Sequence, residues 1–178
     1  MVNFVKTLGL NMKKYLKEAI ILALMVFIVT NVVSYYKSSS INAKDSYKIL
    51  KNKISINGIK LNNIIMQKKP LIVNFWGTWC PVCNQEISNI EKISKDKDII
   101  LITVAVNSGS NRDIKDFLIR KNVHFLVVND YNGDIARAFN ITTYPTTIFY
   151  NINREKIIKD SGYLSYPGYL ARKKLVEK

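Results

Sequence analysis

The stretch LIVNFWGTWCPVC, residues 71–83, decides the fold of this chain and contains both of its cysteines. The apolar run at its start is typical of a buried strand, and Pro81 suits the first turn of a following helix. We expect Cys80 to expose its sulfur at the N-terminus of that helix, where free amide hydrogens and the positive dipole end favour a thiolate. Cys83 would lie one turn inside, where it can attack a mixed disulfide formed by Cys80. The spacing therefore predicts thiol–disulfide exchange.

Two other uses of a Cys-x-x-Cys pair fit this chain less well. A structural zinc site needs four ligands, whereas the sequence holds two cysteines and one histidine, His124. A purely structural disulfide between Cys80 and Cys83 would close a very short loop and would constrain the unfolded chain little. The carboxylates are scattered and show no spacing typical of a metal site or a general acid–base pair. We therefore expect no metal and no bound cofactor.

The N-terminal part of the chain contains an uncharged, largely apolar segment at residues 19–36. As a helix of about 18 residues it would rise ~27 Å, close to the ~30 Å hydrocarbon layer of a bilayer. Lysines precede the segment and two tyrosines end it, which predicts a signal anchor with a basic cytoplasmic N-terminus at residues 1–18. A cleaved signal peptide is the alternative, but no small-x-small cleavage site directly follows the apolar run.

This interpretation places the rest of the chain outside the cytoplasm, as a polar tether at residues 37–46 and a domain at residues 47–178. The predicted location is the bacterial inner membrane, crossed once, with the domain facing the periplasm or the cell exterior, where disulfides persist. The formal net charge is +14, but the basic residues are scattered and form no helix or stripe typical of a nucleic-acid site. We expect the membrane, and no nucleic acid, as a partner.

Strand and helix patterns alternate through the domain. Alternating apolar and polar residues on both sides of Asn57-Gly58 predict a β-hairpin. The further strands are predicted at 71–75, 99–106, 125–128, 146–150 and 155–160, and the helices at 81–94, 111–120, 134–139 and 166–176. Parallel strand–helix–strand units followed by a hairpin predict an α/β fold, with a mixed central sheet flanked by helices on both faces.

Three motifs give the chain a family resemblance. They are NFWGTWCPVC at residues 74–83, the preceding Asn57-Gly58 hairpin, and YPTT at residues 144–147. With these motifs, residues 47–176 resemble the thioredoxin-fold family. Within it they are most similar to membrane-anchored TlpA-like proteins, specifically the branch of the suppressor of copper sensitivity protein D. The resemblance implies a thioredoxin fold with an N-terminal transmembrane helix and a protein thiol–disulfide oxidoreductase activity.

The resemblance also implies roles for residues near the cysteines. Pro145 would be the cis-proline that faces the cysteine pair, and Tyr144 would offer its backbone to an extended substrate peptide. Trp76 and Trp79 would frame the active-site surface. Strand alternation places Trp76 nearer the interior, which leaves Trp79 as the candidate for substrate contact, with core packing as its alternative.

The proton acceptor for Cys83 is not evident from the sequence. Asn74 stands where many thioredoxins carry a buried Asp that manages proton transfer to the resolving cysteine. An Asn side chain cannot titrate. Water, Glu86 and a more distant acid are the candidates.

Two functions are compatible with these predictions. The first is a membrane-tethered, extracytoplasmic oxidoreductase that exchanges disulfides with protein substrates through Cys80 and Cys83. Resemblance to reducing TlpA-like proteins implies a membrane electron-transfer partner and favours substrate reduction, whereas Pro81 between the cysteines resembles oxidising relatives. The alternative is a Cu(I) metallochaperone that uses the same two thiolates, because soft thiolates suit Cu(I).

Overall fold

The computed structural model describes most of the chain, as residues 15–26, 29, 43–155 and 157–177. Residues 15–26 are helical, and no helix within the described part is long and apolar enough to cross a bilayer. The anchor predicted at residues 19–36 lies partly outside the described residues. The chain divides into two compact units, Met1–Ser40 and Ile41–Lys178. Every strand named below belongs to the second unit.

A five-stranded sheet forms the centre of the second unit. In chain order its strands are β1 (Leu71–Trp76), β2 (Ile100–Val106), β3 (Val127–Asp130), β4 (Thr146–Tyr150) and β5 (Ile157–Ser161). In space the order is β3-β2-β1-β4-β5, so that β1 is central. β2 runs parallel to β1 and β3, whereas β4 runs antiparallel to β1 and β5. The mixed central sheet predicted from the sequence is confirmed.

Helices cover both faces of this sheet. They are α1 (Ala43–Lys51), α2 (Leu61–Ile65), α3 (Pro81–Ser94), α4 (Asn111–Lys121), α5 (Asp134–Ala138) and α6 (Tyr166–Glu177). Side chains of α3, α4 and α6 join one buried cluster on one face, and side chains of α1, α2 and α5 join a second cluster on the other face. The sheet therefore has no solvent-facing side at its centre.

β1 is buried on both faces, which explains its nearly continuous apolar sequence. Because successive side chains of a strand point to opposite faces, Ile72 and Trp76 join the cluster that contains α3. Leu71, Val73 and Phe75 join the other cluster. The side chain of Asn74 therefore shares the face of Ile72 and Trp76 and is directed toward α3.

The hairpin predicted around Asn57-Gly58 is reduced to one isolated antiparallel bridge, between Ile54 and Lys60. Gly58 has φ 81°, the left-handed conformation that the turn requires. Leu61 begins α2 instead of extending a second strand, since its side chain is fully buried in the cluster that also holds α1 and α5. Burial of the Leu61 side chain thus outweighs the alternating pattern at this point.

Several further boundaries differ from the predictions by one or more residues, among them the starts of α1, β3 and β5. Residues 43–46, expected in the tether, belong to α1. β3 begins and ends two residues later than the predicted 125–128, because its ladder with β2 extends to the pair formed by Asp130 and Val106. The carboxylate of Asp130 also accepts two backbone N–H groups from the first turn of α5. Because Asp130 is polar, the apolar pattern in the sequence did not indicate that β3 continues to this residue.

Candidate active site

Cys80 and Cys83 form a disulfide at the N-terminus of α3, a short turn after β1. Cys80 is the N-cap residue, and its Sγ accepts the backbone N–H of Cys83 at 3.1 Å. Pro81 lies in the first helical turn, where its missing N–H leaves no helical hydrogen bond unmade. The predicted strand-to-helix junction is confirmed. It places the Cys80 sulfur where the helix N-terminus stabilises negative charge.

The turn before the disulfide is held by hydrogen bonds from two sides. The Thr78 backbone N–H donates to Ser108 Oγ at 3.0 Å, and the Ser108 hydroxyl donates to the Val106 carbonyl at 3.0 Å. From α3, the Asn84 amide donates to the carbonyls of Cys80 at 3.1 Å and Thr78 at 3.4 Å. These bonds tie the cysteine pair to the end of β2.

Both cysteines are buried in the disulfide form. The exposed fraction is 4% for Cys80 and 1% for Cys83. The prediction that Cys80 exposes its sulfur is therefore wrong for this form, because the bond to Cys83 draws the side chain across the helix end instead of toward solvent. Trp79 and Val82 are 53% and 40% exposed. These two exposed apolar residues precede Cys80 and Cys83 directly in the chain.

Trp79 and Tyr144 form an aromatic pair beside the disulfide. Their rings meet edge to face, with 5.5 Å between the centroids. The Trp79 indole N–H donates to the Val106 carbonyl at 3.0 Å. Gly77 makes room for the indole, since a Cβ at this position would lie 2.6 Å from the ring. Trp76, by contrast, is fully buried against two core phenylalanines, as strand alternation predicts.

The peptide bond between Tyr144 and Pro145 is cis, as the resemblance predicts. Pro145 directly precedes β4. Because Thr146 of β4 pairs with Phe75 of β1, the start of β4 lies at the same edge of the sheet as the end of β1. The structure therefore brings Tyr144, Pro145 and Trp79 to the edge that carries the cysteine pair. Their roles in substrate binding stay predictions.

Glu86 is a fully buried acid on α3, one turn after Cys83 and on the same face of the helix. The Tyr169 hydroxyl donates to Glu86 Oε1 at 2.5 Å. The Leu164 backbone N–H donates to Oε2 at 3.1 Å, and the Asn74 amide donates to Oε1 at 3.3 Å. Of the three acceptors that the sequence left open, Glu86 is an acid that the structure places in the core, one helical turn after Cys83.

Burial raises the pKa of Glu86 above its ordinary value, because a carboxylate is poorly solvated in the core. The hydrogen bonds from Tyr169, Leu164 and Asn74 act in the opposite direction, and the charge of Asp160 adds to the rise. The pKa of Tyr169 lies well above its ordinary value of 10, because its hydroxyl is buried and lies beside Glu86. Tyr169 therefore stays protonated, while Glu86 can bind and release a proton.

Two donors to this acid, Tyr169 and Leu164, were not predicted from the sequence, and neither was Thr147, which contacts Asn74 and Tyr169. Tyr169 lies 83 residues from Glu86 in the chain. Its position in the predicted last helix was the only signal in the sequence. Thr147 Oγ1 accepts the Asn74 amide at 2.9 Å and lies 3.3 Å from the Tyr169 hydroxyl. Its position in the YPTT motif was the available signal.

His124 does not join this site. It is exposed in the segment before β3, and its backbone N–H donates to Glu91 Oε2 at 2.8 Å. Among the residues that the structure describes, no group of three or more His, Cys, Asp or Glu side chains is placed to hold a metal ion. A Cu(I) site would thus rest on Cys80 and Cys83 alone.

Comparison with known proteins relates this geometry to a family. The AhpC/TSA family matches residues 43–161 of the chain. A thioredoxin-like protein of Haemophilus influenzae is 28% identical over 167 residues, which cover 92% of this chain and 95% of that protein. Thiol-disulfide oxidoreductase ResA of Halalkalibacterium halodurans is 30% identical over 100 residues, which cover 54% of this chain and 56% of that protein.

A solved structure shares the fold. It is a secreted Mycobacterium tuberculosis disulfide oxidoreductase, described as homologous to E. coli DsbE. It matches with a TM-score of 0.60 and 20% sequence identity, over 69% of this chain and 93% of its own. The thioredoxin fold predicted for the domain is confirmed.

Proposed function

Because this chain belongs to the AhpC/TSA family and is a thiol–disulfide oxidoreductase of the thioredoxin fold, we propose that Cys80 and Cys83 are its redox pair. The observation that carries the proposal is their disulfide at the N-terminus of α3, with Cys80 as the N-cap residue. The chain contains no other cysteine. Protein thiols and disulfides are the substrates that such an enzyme exchanges with.

We propose reduction of substrates as the direction of flow. The Cys80 thiolate attacks a substrate disulfide, one substrate sulfur leaves and takes up a proton, and a mixed disulfide joins Cys80 to the other sulfur. Cys83 then loses its proton and attacks the Cys80 sulfur, which releases the second substrate thiol. The substrate has gained two electrons and two protons, and the Cys80–Cys83 disulfide of the structure is the oxidised product.

Glu86 is the proposed acceptor of the Cys83 proton. Both side chains are buried on the same face of α3, and the neighbouring Asn74 cannot titrate. Burial raises the pKa of Glu86, which makes this carboxylate a stronger base than a solvated one. A second acid is not needed for the step, because one proton leaves Cys83 for each disulfide closed.

Trp79, Tyr144 and Pro145 are the proposed substrate surface. The exposed indole and the half-buried Tyr144 ring lie beside Cys80 and offer apolar contact to a peptide. Pro145 has no backbone N–H, so that the peptide groups around Tyr144 are the ones available for strand-like pairing with a substrate. The edge of the sheet thus combines a reactive sulfur with a place for an extended chain.

We further propose that the domain is tethered outside the cytoplasm to the bacterial inner membrane. The support is the uncharged segment at residues 19–36 with its lysine flank, together with the secreted nature of the Mycobacterium tuberculosis protein of like fold. A membrane electron-transfer partner would then reduce Cys80 and Cys83 after each turnover. Membership of the branch of the suppressor of copper sensitivity protein D stays a prediction.

Insulin reduction by the full chain in detergent, with dithiothreitol as electron source, tests the chemistry. We expect the wild type to accelerate insulin precipitation, the Cys80→Ser variant to be inactive, and the exposed-site control His124→Ala to match the wild type. Full activity without Cys80 would contradict the proposal. Alkaline carbonate extraction tests the tether separately, since an integral protein stays in the pellet and release of the intact chain would refute the anchor.

A further inference from the structure

We propose that Tyr169 is a positioning residue of the exchange reaction, because its hydroxyl holds the Glu86 carboxylate oriented and ionised for the Cys83 proton. The inference rests on the proposed role of Glu86 as proton acceptor. Tyr169 belongs to α6, far along the chain from the cysteines, and its hydroxyl donates to Glu86. It would act entirely through Glu86.

The Tyr169 hydroxyl lies much closer to Glu86 Oε1 than to its other possible acceptor, Thr147 Oγ1 at 3.3 Å. The hydroxyl lies 2.5 Å from Glu86 Oε1 and accepts from Asn74 Nδ2 at 3.3 Å. The Asn74 amide has two hydrogens but three acceptors within reach, namely Glu86, Tyr169 and Thr147. The two Asn74 hydrogens are therefore divided among three acceptors, whereas the nearest acceptor of the Tyr169 hydrogen is Glu86.

The Tyr169 ring is fixed by the core, which makes it a rigid donor. It is fully buried and packs against Phe149 of β4, with 5.9 Å between the ring centroids. Leu164, in the segment between β5 and α6, supplies a backbone donor to Oε2. The C-terminal segment thus provides one donor to each carboxylate oxygen of an acid that α3 carries.

Among the described residues around Glu86, the Tyr169 hydroxyl is the strongest hydrogen-bond donor to its carboxylate. β1 and β4 present the neutral Asn74 and Thr147. The acid Asp160 on β5 disfavours the Glu86 anion through its charge, but Asp160 is itself paired with Arg172 of α6. No described cation forms an ion pair with Glu86, so neutral donors alone stabilise its charged form.

Removal of the Tyr169 hydroxyl has a defined consequence. A hydrogen bond to a charged group is stronger than one between neutral groups, and its loss changes a protonation equilibrium by at least about tenfold. Without the bond, Glu86 holds its proton more tightly, and less carboxylate is present on the acid side of its titration. Closure of the Cys80–Cys83 disulfide should slow there on the order of tenfold. At high pH the carboxylate is formed in any case, and the rates should converge.

The test is a pH profile of disulfide closure in the reduced full chain. The chain is mixed in detergent with a saturating disulfide peptide, and the phase independent of peptide concentration is followed. We expect Tyr169→Phe to move the acid limb of the profile to higher pH with little change at its plateau. The matched control is Tyr150→Phe, which removes an equally buried hydroxyl from the cluster on the other face of the sheet.

The Glu86→Gln variant separates the two proposals. If Glu86→Gln abolishes the acid limb while Tyr169→Phe and Tyr150→Phe both keep the wild-type pH profile, the Tyr169 inference fails and the role of Glu86 stands. If the limb persists in Glu86→Gln, both fail. A uniform loss of rate at all pH values in Tyr169→Phe would assign Tyr169 a merely structural role and overturn the inference.

A second variant keeps the test decisive if Tyr169→Phe does not fold. Incorporation of 3-fluorotyrosine at residue 169 keeps the ring and strengthens the hydroxyl as a donor. We expect the acid limb to move to lower pH, opposite to the phenylalanine variant. An unchanged limb in a folded fluorotyrosine protein would contradict the inference.

Discussion

Replacement of Gly77 with alanine tests how firmly the aromatic surface beside Cys80 is fixed. The new Cβ would lie 2.6 Å from the indole of Trp79, too close for any real contact, so the ring must move. Gly77 does not have a positive φ, so alanine can adopt its backbone conformation without strain. The effect of the substitution is therefore confined to the displacement of Trp79.

The magnitude follows from the contacts that the indole would lose. Its hydrogen bond to the Val106 carbonyl contributes about 1 kcal/mol, and its edge-to-face contact with Tyr144 contributes about 1 kcal/mol more. The Val106 carbonyl keeps its second donor, Ser108, and so is not left unpaired. Alanine also restricts the unfolded chain, which stabilises by about 0.4–1 kcal/mol. We expect a net loss of about 1–1.5 kcal/mol.

A double-mutant cycle with Trp79→Ala isolates the clash. Once the indole is absent, Gly77→Ala should be neutral or stabilising, which gives a coupling energy of about 2 kcal/mol between the two positions. The free energies of unfolding are measured by urea titration followed by circular dichroism, on the full chain in detergent. Losses that simply add, with coupling below about 0.5 kcal/mol, would refute the placement of Trp79 over Gly77.

Two further predictions concern the acid and the surface. Burial raises the pKa of Glu86, so the folded state binds more protons than the unfolded state above the ordinary value of 4.5, and stability falls as the pH rises through the folded pKa. In urea titrations the wild type should lose stability relative to Glu86→Gln as the pH rises above the ordinary value of 4.5, and a difference independent of pH would contradict this. Trp79→Ala should raise the KM for a disulfide peptide about tenfold with little change in kcat. The exposed-aromatic control Tyr131→Ala should change neither, and equal effects in both variants would remove the case for a substrate contact.

The strand-to-helix junction was predictable because its signals are local. The apolar run of β1 and the proline in the first turn of α3 both lie within a dozen residues of the cysteines. The run indicates a buried strand, and the proline indicates the start of a helix. The cis bond before Pro145 is different. Nothing local in the sequence requires it, and the prediction came from the order of motifs in a related family.

The surroundings of Glu86 could not be predicted because they depend on long-range packing. Helical spacing places Glu86 on the face of Cys83, but its donors come from β1, from the segment before α6 and from α6 itself. No periodicity connects Tyr169 with an acid 83 residues earlier. The burial of Leu61, which replaced a predicted strand with α2, is a second case in which tertiary packing outweighs a local pattern.

The central claim is that Cys80 is the attacking sulfur and Cys83 the resolving one. Its most direct test is the trapping of mixed disulfides by single-cysteine variants of the full chain, resolved by non-reducing electrophoresis and identified by mass spectrometry. We expect Cys83→Ser to accumulate substrate proteins linked through Cys80, because the resolving attack is gone, and Cys80→Ser to accumulate none. Linkage through Cys83 in the Cys80→Ser variant, with none in Cys83→Ser, would contradict the account.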